Sequence, residues 1–329
     1  MTARSSLRQA FRLLLAVTLL ACAAIPARAQ SPPTCRLTIG GHGSAPGQFQ
    51  FPYLAATDQA GNVYVSDAGN SRIQSFNSTG ALLLVRGSYG AGDDQFNNPE
   101  GIGIAASGDI YVADAVNQRV AHYLPTGTVL TFGTQGTGPG QFRYPRGVAV
   151  DQLGFVYVAD RFNARIQKFT PAGDYVLSWG VSGYNDGEFQ VPQGIATDAT
   201  HVYVTDGGRH NVQVFSPTGA FIASWGELGA ADGQFNGPTG IAVDADGSLY
   251  VADTYNDRVQ QFTPSGVFLT KWGTTGTGPG QFQHPTGVAA ANFHVVYVVE
   301  QLGERVQVFS PGPTHALQAT WGGVKRAYR

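Results

Sequence analysis

Cysteine is almost absent from this chain, which contains two in 329 residues. Cys22 lies in an apolar N-terminal segment, so Cys35 is the single cysteine of the remaining sequence. One cysteine cannot form an intramolecular disulfide or a zinc cluster of the cysteine type. We therefore interpret Cys35 as a small residue of an N-terminal extension.

Long apolar runs and a common nucleophile motif are also missing. After the N-terminal segment no stretch is long and apolar enough for a membrane-spanning helix, and no GxSxG sequence occurs. A zinc site needs about three protein ligands that converge on one point. The histidines occupy seven different positions of the repeat described below, so no ligand trio is visible. They are His42, His122, His201, His210, His284, His294 and His315.

The first 29 residues have the pattern of an export signal. Three arginines form a basic start, and an apolar segment follows at residues 13–24. This segment is too short to span a bilayer comfortably, and Ala27-Arg28-Ala29 is typical of a cleavage site that leaves Gln30 as the first mature residue. The competing signal Leu19-Leu20-Ala21-Cys22 resembles a bacterial lipoprotein box, which would place a lipid on Cys22. We favour simple cleavage and expect an exported protein, periplasmic or secreted.

Removal of the signal would change the balance of charge. It would take away four arginines and no acidic residue, which leaves 16 basic against 22 acidic residues and a net charge of −6. A protein that binds nucleic acid needs a positive field to neutralise phosphates. The sequence therefore argues against nucleic acid as the partner.

What the chain does contain is a unit of about 47 residues that recurs six times. Residues 138–180 show it best, because GVAV, FVYVA, RIQKF and YVLSW are short apolar segments separated by Gly, Pro, Asp or Asn. Four strands in about 47 residues is the size of a propeller blade. We therefore predict an all-β fold, a six-bladed β-propeller of four-stranded blades, over residues 40–322.

The ends of this propeller are less clearly marked. Residues 30–39 form an N-terminal extension, and residues 323–329 a short basic tail. A propeller ring must close, and it commonly does so with a strand from one terminus. Residues 37–39 and 317–321 compete for this role, and because the sixth copy is complete in itself, residues 37–39 could instead add a fifth, outer strand.

The consensus GxGQFxxPxGIAVDxxGxxYVADxxNxRIQxFxxxGxxxxxWG resembles the NHL repeat. The resemblance covers about residues 40–322, nearly all of the chain after the signal. Members of that family form six-bladed propellers, and they include secreted amidating lyases, sensor domains of bacterial kinases, and domains of tripartite-motif proteins that bind partners or RNA. The resemblance therefore implies the fold firmly and the function loosely.

Most repeated residues have a structural interpretation. The Asp of YVAD, with Asn and Arg downstream, is expected to bond backbone amides in the turn between strands two and three, and not to form a metal ring. The repeated phenylalanines are expected to pack between blades. In the fourth copy the Asn and Arg have exchanged places, so that Arg209 stands at the usual Asn position and Asn211 at the usual Arg position. In the sixth copy Glu300 replaces the Asp, and Gly303 replaces the Asn.

Functional residues are expected where the copies differ at equivalent exposed positions. The loop from strand four to the next blade and the turn from strand two to strand three lie at the same end of every blade. At this end the copies differ most in the residue after the conserved proline and in the residues after YVAD. Arginine and aromatic side chains are typical of binding hot spots. The predicted ligand-binding residues are Tyr53, Glu100, Arg146, Arg161, Phe162, Arg209 and Tyr255.

These features favour a non-catalytic, exported binding or scaffold propeller, expected to be a monomer, that recognises a protein, peptide or glycan partner. The alternative is a metal-dependent lyase or hydrolase, which the resemblance to the amidating lyases implies, with its site at the central channel. His284 is the histidine nearest the channel mouth by its position in the repeat. No cofactor is predicted, although calcium held by backbone carbonyls in the channel would leave no trace in the sequence.

Overall fold

The computed structural model describes residues 31–311, in which six four-stranded antiparallel sheets follow one another around a central channel. The N-terminal strand is β1 (Thr34–Ile39). Blade 1 contains β2 (Pro52–Thr57), β3 (Val63–Asp67), β4 (Arg72–Phe76) and β5 (Leu82–Arg86). Blade 2 contains β6 (Pro99–Ile104), β7 (Ile110–Asp114), β8 (Arg119–Tyr123) and β9 (Val129–Phe132). The predicted signal and basic tail lie outside the described residues.

The remaining strands continue this order. A short parallel pair, β10 (Thr134–Gln135) and β11 (Gln141–Phe142), precedes blade 3, which contains β12 (Pro145–Val150), β13 (Val156–Asp160), β14 (Arg165–Phe169) and β15 (Tyr175–Trp179). Blade 4 contains β16 (Pro192–Thr197), β17 (Val202–Asp206), β18 (Asn211–Phe215) and β19 (Phe221–Trp225). Blade 5 contains β20 (Pro238–Val243), β21 (Leu249–Asp253), β22 (Arg258–Phe262) and β23 (Phe268–Trp272), and blade 6 contains β24 (Pro285–Ala291), β25 (Val295–Glu300), β26 (Arg305–Ser310) and β1.

Short 3-10 turns connect some of the consecutive strands. Three of them join the second and third strands of blades 1, 3 and 5, at Ala68–Asn70, Arg161–Asn163 and Thr254–Asn256. A fourth, Asn292–His294, joins the first two strands of blade 6. Within the described residues, no helix has the length and apolar character needed to cross a membrane.

The N-terminal strand β1 completes blade 6. It pairs antiparallel with β26, with Ile39 opposite Val306, and forms the fourth, outer strand of that sheet. Cys35 lies in this strand, half-buried, and its Sγ is 3.1 Å from Oε1 of Gln307. The strand therefore links the start of the propeller to its last blade, whereas residues 317–321, the other candidate for closure, lie outside the described residues.

The innermost strands approach one another closely because they carry glycine. A Cβ on Gly147 in β12 would lie 2.3 Å from the carbonyl oxygen of Gln193 in β16. The equivalent atom on Gly194 would lie 2.4 Å from the carbonyl oxygen of Thr239. Since real side-chain atoms do not approach so closely, glycine sets the narrow bore of the ring.

The phenylalanine three residues before each conserved proline packs between blades, as predicted. Phe142 is fully buried and joins one apolar cluster with Tyr111 of blade 2 and Val158 of blade 3. Its ring centroid lies 5.6 Å from that of Phe169. The equivalents are likewise fully buried: Phe49, Phe96, Phe189, Phe235 and Phe282.

The repeated Asp, Asn and Arg tie the loop before each blade to the turn between its second and third strands. In blade 3 the buried carboxylate of Asp160 accepts hydrogen bonds from the backbone N–H of Arg143 at 2.7 Å and from Asn163 and Arg165 at 2.8 Å. Burial raises the pKa of Asp160, and these donors oppose that rise. This network confirms the turn role and holds both loops at one end of the blade, which we call the upper face.

Candidate binding face

The channel mouth on the upper face is lined by the six side chains that follow the conserved prolines. All six are buried, with exposed fractions between 2% and 9%. They include three of the predicted ligand-binding residues. In blade order they are Tyr53, Glu100, Arg146, Gln193, Thr239 and Thr286.

Four of these side chains bond to one another across the channel, and we call them the channel plug: Tyr53, Glu100, Arg146 and Gln193. The Arg146 guanidinium donates to Glu100, with Nε 2.5 Å from Oε2, and to Oε1 of Gln193. It also lies over the Tyr53 ring, with Cζ 4.4 Å from the centroid. The Tyr53 hydroxyl is 3.4 Å from Oε1 of Gln193. The plug thus connects blades 1 to 4 through contacts between its own side chains.

The charges of the plug are matched. Burial disfavours the charged form of Arg146, but Tyr53 and Glu100 outweigh burial and raise the pKa of Arg146. Burial raises the pKa of Tyr53, which keeps its hydroxyl neutral at ordinary pH, so Glu100 is the counter-ion of Arg146 there. A buried pair of this kind is costly to break, because either partner alone would be an uncompensated buried charge. Tyr53, Glu100 and Arg146 therefore contact one another and are not free to contact a ligand directly.

Beneath the plug the channel is narrow. One large apolar side chain from each blade lines a cavity of about 20 Å³, room for about one water molecule. These side chains are Leu54, Ile102, Val148, Ile195, Ile241 and Val288. This cavity is therefore too small for a ligand larger than a water molecule. Calcium in the channel stays a prediction.

Above the plug, blade 3 presents a cationic and aromatic corner. Arg161 is half-buried, and its Cζ lies 4.9 Å from the ring centroid of Phe162 and 5.9 Å from that of Tyr144. Its buried Nε has no hydrogen-bond partner among residues 31–311, and it forms no ion pair with them. Burial and repulsion from Arg146 lower the pKa of Arg161. Phe162 is 56% exposed. This corner therefore carries an uncompensated positive charge beside an exposed aromatic ring.

Tyr144 connects this corner to the plug and was missed by the sequence comparison. Its hydroxyl donates to Oε1 of Glu100 at 3.1 Å and accepts from Nδ2 of Asn98 at 2.7 Å. Its ring centroid is 5.2 Å from that of Phe162. It precedes the conserved proline, where the copies are as varied as at the position after it, so extending the comparison by one residue would have found it.

Blade 5 provides the other flank of the face. Tyr255 is 61% exposed, its ring lies against Gly237, and its centroid is 5.3 Å from that of His284.

Between the two flanks, blade 4 has Gly207 and Gly208 at the positions of Arg161 and Phe162. A Cβ on Gly207 would lie 1.9 Å from Nε2 of Gln193. The plug therefore requires a glycine there, and blade 4 adds no side chain at these two positions.

Arg209 is not part of this site, contrary to the sequence prediction. Its Nη1 donates to the carbonyl oxygens of Asn185 and, at 2.9 Å, Glu188. These are the equivalents of two carbonyl oxygens that Arg165 binds in blade 3. The long side chain reaches the same acceptors from the position of the usual Asn. Arg209 is thus a scaffold residue directed into the loop before blade 4.

One group of possible metal ligands occurs in the described part of the chain, and it lies at the opposite end from the plug. Asp244, Asp246 and His294 offer atoms within 4.8 Å of one another in the first turns of blades 5 and 6. Asp244 accepts from the Tyr250 hydroxyl at 2.8 Å and from Nδ1 of His294 at 3.0 Å. In blade 3 Asp151 accepts from the Tyr157 hydroxyl in the same way, at 2.9 Å. Asp244 therefore has a scaffold role that needs no ion.

Comparison with known proteins identifies the repeat. The NHL repeat family matches residues 96–123, 142–169, 189–215 and 235–262, which fall in blades 2 to 5. The comparison with curated proteins found no match.

Among solved structures, a streptogramin B lyase is 12% identical, with a TM-score of 0.60 over 87% of this chain and 100% of its own. A gluconolactonase from Xanthomonas campestris is 14% identical, with a TM-score of 0.61 over 87% and 98%. Virginiamycin B lyase from Staphylococcus aureus is 13% identical, with a TM-score of 0.55 over 79% and 94%. At these identities the likeness concerns the fold alone. With the four matched repeats and the six blades, this chain is an NHL-repeat β-propeller.

Proposed function

We propose that this chain is an exported, non-catalytic binding propeller that recognises a protein, peptide or glycan partner on its upper face. The observation that carries the proposal is the pair of exposed aromatic side chains, Phe162 and Tyr255, that flank the mouth beside the unpaired Arg161. Aromatic and arginine side chains supply large, rigid contacts and dominate the energetics of many interfaces.

The plug supports recognition on a surface over chemistry in a channel. The acidic side chain at the mouth, Glu100, is engaged by Arg146 and Tyr144. The His284 ring packs against Tyr255, and among residues 31–311 no group of three possible metal ligands includes it. A catalytic metal would need several converging free ligands and an open position. These engaged groups favour binding over the metal-dependent lyase or hydrolase, although the lyases and the gluconolactonase above show that this fold is used by enzymes.

The test is binding of the purified chain to arrays of immobilised peptides and glycans. The wild-type protein is expected to bind a defined subset, and the double variant Phe162→Ala/Tyr255→Ala is expected to lose that signal. Leu153→Ala is the matched control, because Leu153 is 80% exposed in the turn between the first two strands of blade 3, at the far end of the blade. Equal signals from the wild-type protein and the double variant would contradict the proposal.

Two further measurements test its other parts. Elemental analysis of the protein purified without chelator is expected to show no stoichiometric transition metal, and stoichiometric zinc would favour the lyase or hydrolase. N-terminal sequencing of the processed protein is expected to begin at Gln30. A lipid-modified Cys22 would instead establish the alternative form of export.

A further inference from the structure

We infer that the blade 3 corner of the upper face binds an acidic peptide segment, with a carboxylate against Arg161 and a neighbouring apolar side chain against Phe162. This inference rests on the proposed function and names the chemical class of its partner.

Arg161 has the donors that a carboxylate requires. Its guanidinium makes no hydrogen bond within residues 31–311, and its Nε is buried away from solvent. Every other arginine that follows or aligns with the YVAD turn donates to protein acceptors, as Arg165 and Arg209 do. A planar guanidinium with free donors binds a carboxylate through two parallel hydrogen bonds.

The surrounding charge also favours an anion. Glu100 is the acidic residue of the plug, and its charge is balanced by Arg146. Blade 3 adds a second basic residue, Arg143, which is exposed and forms no ion pair among the described residues. The other five copies have an uncharged Gln or Asn at that position. Blade 3 therefore has a local positive charge on a chain whose overall charge is negative.

The neighbouring rings indicate a side chain beside the carboxylate. Phe162 is exposed on one side of the guanidinium, and its backbone N–H donates to the carbonyl oxygen of Arg143, which fixes the two residues together. On the next blade, Gly207 and Gly208 place no side chain beside this corner. A single arginine with one adjacent aromatic ring matches one carboxylate next to one apolar side chain. A phosphate chain would instead need several cations in a row.

The experiment uses two peptides with blocked ends, Ac-Ala-Glu-Phe-Glu-Ala-amide and its isostere with Gln in place of both Glu. Binding is measured by titration calorimetry. The Glu peptide is expected to bind at least about tenfold more tightly than the Gln peptide, since charge-assisted hydrogen bonds separate them. Arg161→Gln is expected to remove this difference. Arg36→Gln is the charge-matched control, because Arg36 is exposed on β1 at the outer edge of blade 6, and it should preserve the difference.

The outcomes separate this inference from the proposed function. If Phe162→Ala weakens both peptides but Arg161→Gln leaves their ratio unchanged, the face binds peptides and the inference about the carboxylate is wrong. Failure of the Glu peptide to bind at millimolar concentration would also overturn it, while the arrays continue to test the wider proposal. A hexauridine that binds through Arg161 more tightly than the Glu peptide would overturn it in favour of a nucleic acid.

Discussion

The Tyr53 hydroxyl of blade 1 lies 3.4 Å from Oε1 of Gln193 in blade 4. In a six-bladed ring these two blades stand on opposite sides of the channel, so the contact crosses the whole mouth. Arg146 lies between them and bonds to Gln193 and Glu100. The channel is therefore closed at this end by the protein's own side chains, and the proposed recognition lies on the surface above it.

We expect the plug to contribute to stability. Glu100→Ala would leave Arg146 buried without its counter-ion and should lower the free energy of unfolding by about 3–5 kcal/mol. Chemical denaturation measures this change. The double variant Glu100→Ala/Arg146→Met removes both charges and should recover a large part of the loss. A single variant as stable as the wild-type protein would contradict the assigned ion pair.

Arg209 and Arg161 should behave in opposite ways on substitution. Arg209→Ala removes hydrogen bonds to two loop carbonyl oxygens and should lower the free energy of unfolding by about 1–3 kcal/mol. Arg161→Ala removes no hydrogen bond within the described residues, so its thermal midpoint should stay close to that of the wild-type protein. Differential scanning calorimetry of both variants checks this, and a larger loss for Arg161→Ala would show that the two roles have been assigned the wrong way round.

In blade 6, Gly303 leaves room for the side chain of Glu300, which is longer than the usual Asp. A Cβ on Gly303 would lie 2.5 Å from Oε2 of Glu300, so the longer acid takes space that Asn occupies in other blades. Gly303→Asn alone should destabilise the protein by about 1–3 kcal/mol. Adding Glu300→Asp restores the usual Asp and Asn and should recover that loss. A double-mutant cycle measures the coupling, and additive effects would mean that the pair is not coupled.

The six tyrosines of the second strands should make the protein sensitive to alkali. Burial, aided in several blades by a nearby aspartate, raises the pKa of each hydroxyl, to about 12 for Tyr111. The folded state therefore keeps protons that the unfolded state releases above pH 10, and stability should fall as pH rises through 10. The six are Tyr64, Tyr111, Tyr157, Tyr203, Tyr250 and Tyr297.

Absorbance at 295 nm, followed beside circular dichroism, checks this expectation. Phenolate from these residues should form together with the loss of β-structure. Full titration near pH 10 with unchanged circular dichroism would contradict their burial.

The blades could be predicted from the sequence because their determinants are local and repeated. Gly, Pro and Asp mark the turns, and the phenylalanine three residues before each proline follows Gln or Glu in every copy. The grouping of two loops on the upper face also follows from topology alone. Closure was left open by the sequence because residues 37–39 and 317–321 resemble the same outer strand, and pairing with β26 is a contact between distant parts of the chain.

The candidate site was harder to predict for two physical reasons. Comparing positions within the repeat shows which residues vary, but not that Tyr53, Arg146 and Gln193 meet across the channel. The same comparison fixes the backbone position of Arg209 but not the direction of its long side chain, which reaches scaffold carbonyl oxygens. Arg161, Phe162 and Tyr255 could be found, because short turns leave their side chains at the surface.

The most direct test of the account is amide hydrogen exchange with and without the tightest ligand from the arrays. We predict that the ligand slows exchange in the turns Arg161–Asn163 and Thr254–Asn256, which carry the exposed rings. Exchange in the turns at the opposite end of the blades, such as the one that contains Leu153, should not change. Protection confined to that opposite end, or to the outer strands, would contradict recognition on the upper face.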